Sequence, residues 1–460
     1  MFTQTDAEKI HETSLVILQD PGIKIEHDYI FNLFLKNGAR QGNGTQVVQI
    51  PPEMVKDYLA LCPKEFDLCG RNGRRHALSA GAPAAVWSCP AMHLYTDGGV
   101  RPFTSHDMAE VSRLVDKLDN IQGIFGTAMD DITPAARDVT GLNIMARNTS
   151  KHIRAFCFTP AGGRTMAEMK QVVGPEAWFS VGFTAHGPLR WTNLALDIYK
   201  ETSGYKIPVT VNGEPMAGVS GPVTLAGSGA VGNAEILAGI IAIQLLEAGR
   251  PCIYNLGLAH IFDMRTMIAV TGGPENALLA GLSGLMGRFY GIPSGSWVST
   301  ESMCPDEQAA MEKMFGFFTH QQSGVSNIWG AGQLESELTL SLEQCVIDNE
   351  MLGYIKRYLR GVEVNDQTLA HDLIRETGIS GSFLETMHTA ENYQNEFFRP
   401  DLLFRRKRPD WESQGRTRID ERALEKARDL IAAPVDHGLS EDQLRELDGI
   451  TRRFSGSFSK

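Results

Sequence analysis

The residues best suited to do chemistry are polar and aromatic side chains that follow a series of short apolar runs, where strands are predicted to end. They are Thr127, Asp130, Thr159, His186, Asn212, Glu214, Asn255, His260, Trp297, Glu301, Trp329, Gln333 and His388. When parallel strands close into a barrel, their carboxyl ends meet at one mouth, where barrel enzymes bind their substrates. The set therefore predicts a ligand site at such a mouth.

Two tryptophans in this set indicate the kind of ligand. Trp297 and Trp329 follow consecutive predicted strands, and Phe183, Tyr95 and Tyr254 are further candidates for the same region. Aromatic rings around a quaternary ammonium group attract it through cation–π interactions of roughly 0.5–2 kcal/mol per ring. The alternative is that both tryptophans are ordinary core residues.

The elements that must position these residues alternate along the chain. Predicted strands are Ile121–Gly126, Ile153–Phe158, Phe179–Phe183, Ile207–Val211, Cys252–Leu256, Ile292–Val298, Val325–Trp329 and Gly381–Glu385. Predicted helices between or after them are Asp138–Ala146, Thr165–Val173, Thr192–Glu201, Glu235–Glu247, Glu275–Phe289, Asp306–Phe318 and Glu335–Leu359. Eight β/α units favour a (β/α)8 TIM barrel, and a doubly wound open sheet is the alternative.

The flanking regions have different patterns. Residues 1–103 combine short helices with short strands and predict an α+β cap before a barrel at 104–398. Residues 399–460 begin with a basic stretch and continue as helix, which predicts a helical extension packed on the barrel or on another subunit.

A glycine motif follows the strand that ends at Asn212. Gly227, Gly229 and Gly232 match the dinucleotide fingerprint GxGxxG. That fingerprint needs an acid at the end of the next strand, and this strand ends Asn255-Leu256-Gly257 without one. The other interpretation is close packing of small residues at the start of a buried helix.

Composition and absent motifs exclude several classes of function. The sequence has no HExxH, CxxC, Walker A or GxSxG motif, so no metal site and no serine triad are predicted. A net charge of −12 argues against nucleic acid and anionic membranes as partners. The seven scattered cysteines, the polar N-terminus and the short longest apolar run, Ile236–Leu246, predict a cytoplasmic protein.

Four segments, in order along the chain, resemble the trimethylamine methyltransferase family of cobalamin-dependent amine methyltransferases. They are Asn212–Gly227 (NGEPMAGVSGPVTLAG), Ser299–Lys313 (STESMCPDEQAAMEK), Gly330–Glu350 (GAGQLESELTLSLEQCVIDNE) and Met387–Arg405 (MHTAENYQNEFFRPDLLFR). The resemblance implies a (β/α)8 barrel that moves a methyl group from an amine to the Co(I) of a separate corrinoid protein. It also implies a homo-oligomer, because family members are often oligomeric.

One departure from the family pattern narrows the substrate. The trimethylamine enzymes carry pyrrolysine in the barrel, whereas this chain consists of standard residues. The chain therefore resembles the branch without pyrrolysine, whose members demethylate quaternary amines such as glycine betaine. It also lacks the DxHxxG motif that ligates corrinoid cobalt, since Asp436-His437-Gly438 has the wrong spacing. The cobalamin is therefore expected on a partner protein, with no tightly bound cofactor in this chain.

The resemblance and the residues together give one hypothesis, a glycine betaine:corrinoid protein methyltransferase. Trp297, Trp329 and Phe183 would surround the trimethylammonium group. The carboxylate would be held by His186, Asn212 or His388, and Gln333 lies in the same region.

Catalytic assignments stay open. Glu214 would place a negative field near the cation or would bind backbone amides, and His186 is the other candidate. Alternatives are another methyl donor (proline betaine, carnitine, choline, trimethylamine or a methylated thiol), a non-catalytic quaternary-amine-binding protein, and an NAD- or flavin-dependent barrel enzyme.

Overall fold

The computed structural model describes residues 2–96 and 98–458 of the 460-residue chain. The helices are α1 Gln4–Gln19, α2 Asp28–Lys36, α3 Pro52–Ala60, α4 Ser105–Lys117, α5 Arg137–Asn148, α6 Pro160–Val173, α7 Asn193–Glu201, α8 Leu225–Leu246, α9 Pro274–Tyr290, α10 Glu307–Gln322, α11 Leu342–Leu359, α12 Asp366–Leu369, α13 His371–Thr377, α14 Met387–Glu396, α15 Arg408–Ser413, α16 Ile419–Ala432 and α17 Glu441–Gly456. The strands are β1 Ile23–Ile25, β2 Arg40–Gln41, β3 Val47–Gln49, β4 Glu65–Cys69, β5 Arg75–Ser79, β6 Ala85–Ser88, β7 His93–Thr96, β8 Gly99–Pro102, β9 Gly123–Phe125, β10 His152–Arg154, β11 Phe179–Thr184, β12 Arg190–Trp191, β13 Val209–Asn212, β14 Met216–Ala217, β15 Cys252–Gly257, β16 His260–Asp263, β17 Ile268–Val270, β18 Ser294–Trp297, β19 Asn327–Ala331, β20 Gln333–Leu334 and β21 Thr339–Leu340. Short 3₁₀ turns occur at Pro134–Ala136 and Glu335–Glu337.

Eight parallel strands close into a barrel, which confirms the predicted TIM-barrel class. Their order around the barrel is β6, β9, β10, β11, β13, β15, β18 and β19, and the circle closes where β19 pairs with β6. An open sheet would leave two unpaired edges, so the closure excludes the doubly wound alternative.

The predicted eighth strand was wrong. Residues 381–385 form turns in which Leu384 is 80 % exposed, and they pair with no described strand. The missing barrel strand is Ala85–Ser88, which is buried throughout and pairs with β19 and β9. The barrel therefore begins inside the range assigned to the cap, before residue 104. The division of the chain into three domains, at residues 1–103, 104–398 and 399–460, stays a prediction.

Smaller sheets cover both ends of the barrel. The hairpin β4–β5 closes the amino-terminal end, where Leu68 and Leu78 pack beneath the interior residues Trp87 and Trp297. At the carboxyl end lie two sheets, β20-β21-β7-β8 and β14-β16-β17. These covers shield the barrel interior from water and leave a small space at its mouth.

Helix α8 contains the glycine motif. Gly227, Gly229 and Gly232 lie within this helix rather than in a loop before it, so they do not form a phosphate-binding turn. A Cβ at Gly232 would meet a methyl carbon of Leu256 at 2.5 Å, as expected for close packing. Within the described residues, α8 is the one helix that is long and apolar enough to cross a membrane. However, 83 % of its apolar 18-residue stretch is buried inside the protein.

The C-terminal residues 399–458 pack on the outside of the barrel. Helix α16 contacts α11 and α4, and helix α17 contacts α5 and α6. Asn143 and Arg147 of α5 bind the carboxylate of Asp448 on α17.

Candidate active site

A cavity of about 200 Å³ lies at the carboxyl-terminal mouth of the barrel. Its aromatic lining consists of Phe125, Phe156, Phe158, Phe183 and Trp329, and its polar lining includes Arg154, Thr184, Asn212, Glu214 and Glu337. Drug-sized ligands usually occupy about 300–1,000 Å³. This mouth cavity is therefore suited to a small ligand.

The aromatic wall is a continuous chain of edge-to-face contacts. The ring centroids of Phe125 and Trp329 are 4.8 Å apart, those of Phe125 and Phe156 6.2 Å, and those of Phe156 and Phe158 3.8 Å. Such rings present their negative faces and a polarisable surface to a ligand in the cavity. This surface favours a cation with apolar substituents.

Two carboxyl groups face the same cavity. Burial raises the pKa of Glu214 to about 7. Burial, with repulsion from Glu214 as a second cause, raises the pKa of Glu337 to about 8. No positively charged side chain of the described residues lies within 4.0 Å of Glu337. The two carboxyl groups thus supply negative charge on one side of the cavity that a cationic ligand would neutralise.

His260 is near Glu214 but does not neutralise it. Its Nδ1 is 3.9 Å from Oε1 of Glu214. The same nitrogen is 3.0 Å from the carbonyl oxygen of Leu258. Since a carbonyl can only accept, Nδ1 carries a proton that it donates to Leu258. Burial lowers the pKa of His260, which favours the neutral ring.

The loop that carries Glu337 has an unusual backbone. Glu335, Ser336 and Glu337 have φ of 54°, 47° and 83°, values that residues other than glycine rarely adopt. Hydrogen bonds hold the loop in place, because the amides of Glu335 and Ser336 donate to Ser302 and Thr300 at 2.9 Å. Strain held in this way is typical of functional sites.

A buried ion pair supports the turn between Trp329 and Glu337. Nζ of Lys313 lies 2.7 Å from Asp348 and donates to the carbonyls of Gly330 and Gln333 at 2.9 and 3.0 Å. Asp348 also accepts from the amide of Gly332 at 2.7 Å. Both charged side chains are fully buried. The pair fixes the path of the chain from the barrel strand to the strained loop.

The structure brings together some of the residues singled out in the sequence. Trp329, Phe183, Asn212 and Glu214 line the mouth cavity. The Asn212 side chain is engaged by Thr184, at 3.3 Å, and by Asn255, at 3.0 Å.

Trp297 and Gln333 lie close to the mouth cavity, but their side chains bind each other. Nε1 of Trp297 donates to Oε1 of Gln333 at 2.6 Å, and both side chains are buried. Neither lines the mouth cavity, so Trp297 packs behind Trp329 in the barrel interior.

The two predicted histidines lie elsewhere. His186 is exposed, two residues beyond the end of β11, where its amide and carbonyl bond to Arg190. His388 lies on α14, because the strand predicted before it does not form. Neither lines the mouth cavity, so the carboxylate-binding role proposed for them does not fit their positions.

The residues that sequence reasoning missed are Arg154, Glu337, Phe125, Phe156 and Phe158. Arg154, Phe156 and Phe158 all lie within the apolar run predicted as a strand, Ile153–Phe158. A charged residue inside such a run is itself a signal, since a buried charge needs a reason.

The carboxyl pair predicts how stability depends on pH. The pKa values of Glu214 and Glu337 rise on folding from the ordinary 4.5 to about 7 and about 8. Between these limits the unfolded chain binds fewer protons, so stability falls as the pH rises from about 5 to about 8. We expect Glu337→Gln to flatten the profile of melting temperature against pH. Parallel profiles for the variant and the parent protein would contradict this.

The fold and the mouth cavity define a TIM-barrel protein with a small cavity of aromatic and charged residues at the carboxyl ends of its strands. The model of the trimethylamine methyltransferase family matches residues 1–456. The trimethylamine methyltransferase of Methanosarcina barkeri is 30 % identical over 99 % of this chain and 96 % of its own length. The glycine betaine methyltransferase of Desulfitobacterium hafniense is 28 % identical over 89 % of this chain and 88 % of its own.

A solved structure agrees in fold. The monomethylamine methyltransferase of Methanosarcina barkeri matches with a TM-score of 0.58 at 13 % identity, covering 99 % of this chain and 88 % of that one. The chain belongs to the trimethylamine methyltransferase family, whose members act on small methylated amines and pass a methyl group to a corrinoid protein.

Proposed function

We propose that this methyltransferase takes a methyl group from a quaternary amine, with glycine betaine as the first candidate, and transfers it to the Co(I) of a separate corrinoid protein. Glycine betaine would leave as dimethylglycine. The observation that carries the proposal is the mouth cavity, which is lined by five aromatic rings and by two carboxyl groups that form no ion pair with a lysine or arginine of the described residues.

The chemistry demands little acid–base help from the protein. When a quaternary ammonium loses a methyl group, the electron pair of the broken C–N bond stays on nitrogen and a neutral tertiary amine departs. The Co(I) of the partner supplies the nucleophile. The residues of this chain then have two tasks, to orient the cation and to keep water away from it. The rings and the covering sheets suit both tasks.

The chain's standard residues favour a quaternary over a tertiary amine. A tertiary amine must be activated before its methyl group can leave, and the pyrrolysine of the trimethylamine enzymes has no counterpart among twenty standard residues. Proline betaine, carnitine, choline and trimethylamine remain the alternative donors. A non-catalytic binding protein would use the same cavity without methyl transfer. A dinucleotide enzyme is disfavoured because the glycine motif lies inside α8.

We further propose a cytoplasmic homo-oligomer that presents the barrel mouth to its corrinoid partner. Residues 361–400 include no buried side chain, and Val362, Ile379 and Leu384 are at least 80 % exposed. Such apolar surface favours a permanent protein contact. Because a corrinoid protein must leave after each turnover, a second copy of this chain is the better candidate for that contact. Sedimentation at a monomer's mass would remove this part of the proposal.

The test is spectroscopic. Purified protein is mixed anaerobically with cob(I)alamin, and glycine betaine, proline betaine, carnitine, choline and trimethylamine are added in separate reactions. Decay of the Co(I) band with growth of methylcobalamin for a quaternary donor is the expected result. Ligand-induced thermal stabilisation without methyl transfer, even with a cognate corrinoid protein present, would favour the binding-protein alternative.

Trp329 offers a direct test of the aromatic wall. Loss of its ring in Trp329→Ala removes a cation–π contact of about 0.5–2 kcal/mol. We therefore expect the donor KM to rise between about two- and thirty-fold. Trp329→Phe keeps a ring and should retain most of the affinity. Trp411→Ala, outside the barrel on α15, is the matched control. An unchanged KM in Trp329→Ala would remove this residue from the cation site.

A further inference from the structure

The mouth cavity contains a buried arginine without an acidic partner. Arg154, the last residue of β10, is 3 % exposed, and its guanidinium lies 4.9 Å from the centroid of Phe125. Nη1 donates to the carbonyl of Ala155 at 2.6 Å, while Nε is buried without any hydrogen-bond partner. Within the described chain, no carboxylate forms an ion pair with it.

A lone guanidinium in this position needs a partner. Removal of a charge from water is costly unless an opposite charge or hydrogen bonds compensate for it. The two glutamates of the cavity do not serve, because neither forms an ion pair with Arg154 within 4.0 Å. Their side chains also come from other parts of the barrel, after β13 and after β20. The cavity therefore presents a cation and two carboxyl groups that are not paired with one another.

The backbone leaves room for this guanidinium. Gly182 on the neighbouring strand β11 has no side chain, and a Cβ there would lie 2.6 Å from Nη2 of Arg154. Gly182 and Arg154 both line the cavity. A planar guanidinium at a cavity wall is well suited to grip a carboxylate through two parallel hydrogen bonds.

We propose that Arg154 binds the carboxylate of a zwitterionic donor, so that the enzyme accepts N-methylated amino acids and rejects amines without an acid group. The inference rests on the proposed function and narrows its substrate class. The ammonium end of the donor lies against Trp329, Glu214 and Glu337, and the carboxylate end against Arg154. Choline has a hydroxyl in place of the carboxylate, so it binds through its ammonium end and leaves Arg154 without a carboxylate.

Calorimetric binding tests this without any corrinoid protein. Glycine betaine and choline are titrated into the parent protein, Arg154→Met, Arg154→Lys and the control Arg190→Met, which alters an exposed arginine. The parent should prefer glycine betaine over choline by at least about tenfold. Arg154→Met should weaken glycine betaine binding about 10- to 100-fold and leave choline binding unchanged. Arg154→Lys keeps the positive charge but cannot form the two parallel hydrogen bonds of a guanidinium. Its affinity for glycine betaine should therefore lie between that of the parent protein and that of Arg154→Met.

The outcomes separate this inference from the proposed function. Equal affinity of the parent for both ligands, or an equal loss of both in Arg154→Met, would overturn the inference and leave the methyltransferase proposal intact. Should Arg154→Met fail to fold, the preference of the parent and of Arg154→Lys for glycine betaine over choline still tests the inference. Preference for glycine betaine without methyl transfer to cobalamin would instead overturn the proposed function alone. Binding of neither ligand would overturn both.

Discussion

Exchange of both Glu214 and Glu337 for glutamine is expected to raise the donor KM about 100-fold, whereas either exchange alone raises it less than about tenfold. The pKa values of about 7 and about 8 mean that the two groups together carry close to one negative charge near neutral pH. A single exchange removes one carboxyl and also the repulsion on the other, which then ionises more readily. The double exchange removes the charge altogether.

The measurement is steady-state kinetics at pH 7.5 on the two single variants, the double variant and Glu343→Gln. Glu343 is a suitable control because it too is a buried glutamate, yet it does not line the mouth cavity. Effects of the single exchanges that simply multiply in the double variant would show two independently ionised groups. An unchanged KM in the double variant would show that the pair does not hold the cation.

The barrel was predictable from sequence in outline, except for the place of one strand. The alternation of apolar runs with helices identified seven of the eight strands. A short strand is also predicted at Ala84–Ser88, but as part of the cap, because it is followed by the side strands β7 and β8 rather than directly by a helix. Pairing with β19, more than two hundred residues away, is what makes it part of the barrel, and a local pattern carries no information on such pairing.

The cavity was predictable where its residues lie at strand ends. Asn212 ends β13, and Glu214 follows it by two residues, so the strand-end rule found both. The rule could not find Glu337, whose direction depends on three consecutive residues with positive φ. It failed for His186 because two residues beyond β11 the chain has already reached the surface. Strand ends are thus a sound guide to the residue that ends a strand, whereas two residues further on the chain enters the cavity at Glu214 but reaches the surface at His186.

The strained loop depends on Lys313, and its loss is expected to have the largest effect on stability. We expect Lys313→Met to lower the free energy of unfolding by about 3–5 kcal/mol, the usual cost of leaving a buried charge unpaired. Asp348, whose pKa is already raised by burial, would be left in a fully buried position without its cation. The carbonyls of Gly330 and Gln333 would also lose their donor.

Urea denaturation compares this variant with the exposed control Lys9→Met and with the double variant Lys313→Met/Asp348→Asn. The double variant should recover part of the loss, because asparagine removes the unpaired charge and still accepts from the amide of Gly332. A double variant no more stable than the single one would show that the carbonyl contacts, not the charge pair, stabilise the turn. In either case the donor KM should rise with the loss of stability, since Trp329 and Glu337 lie at the two ends of the turn that Lys313 holds.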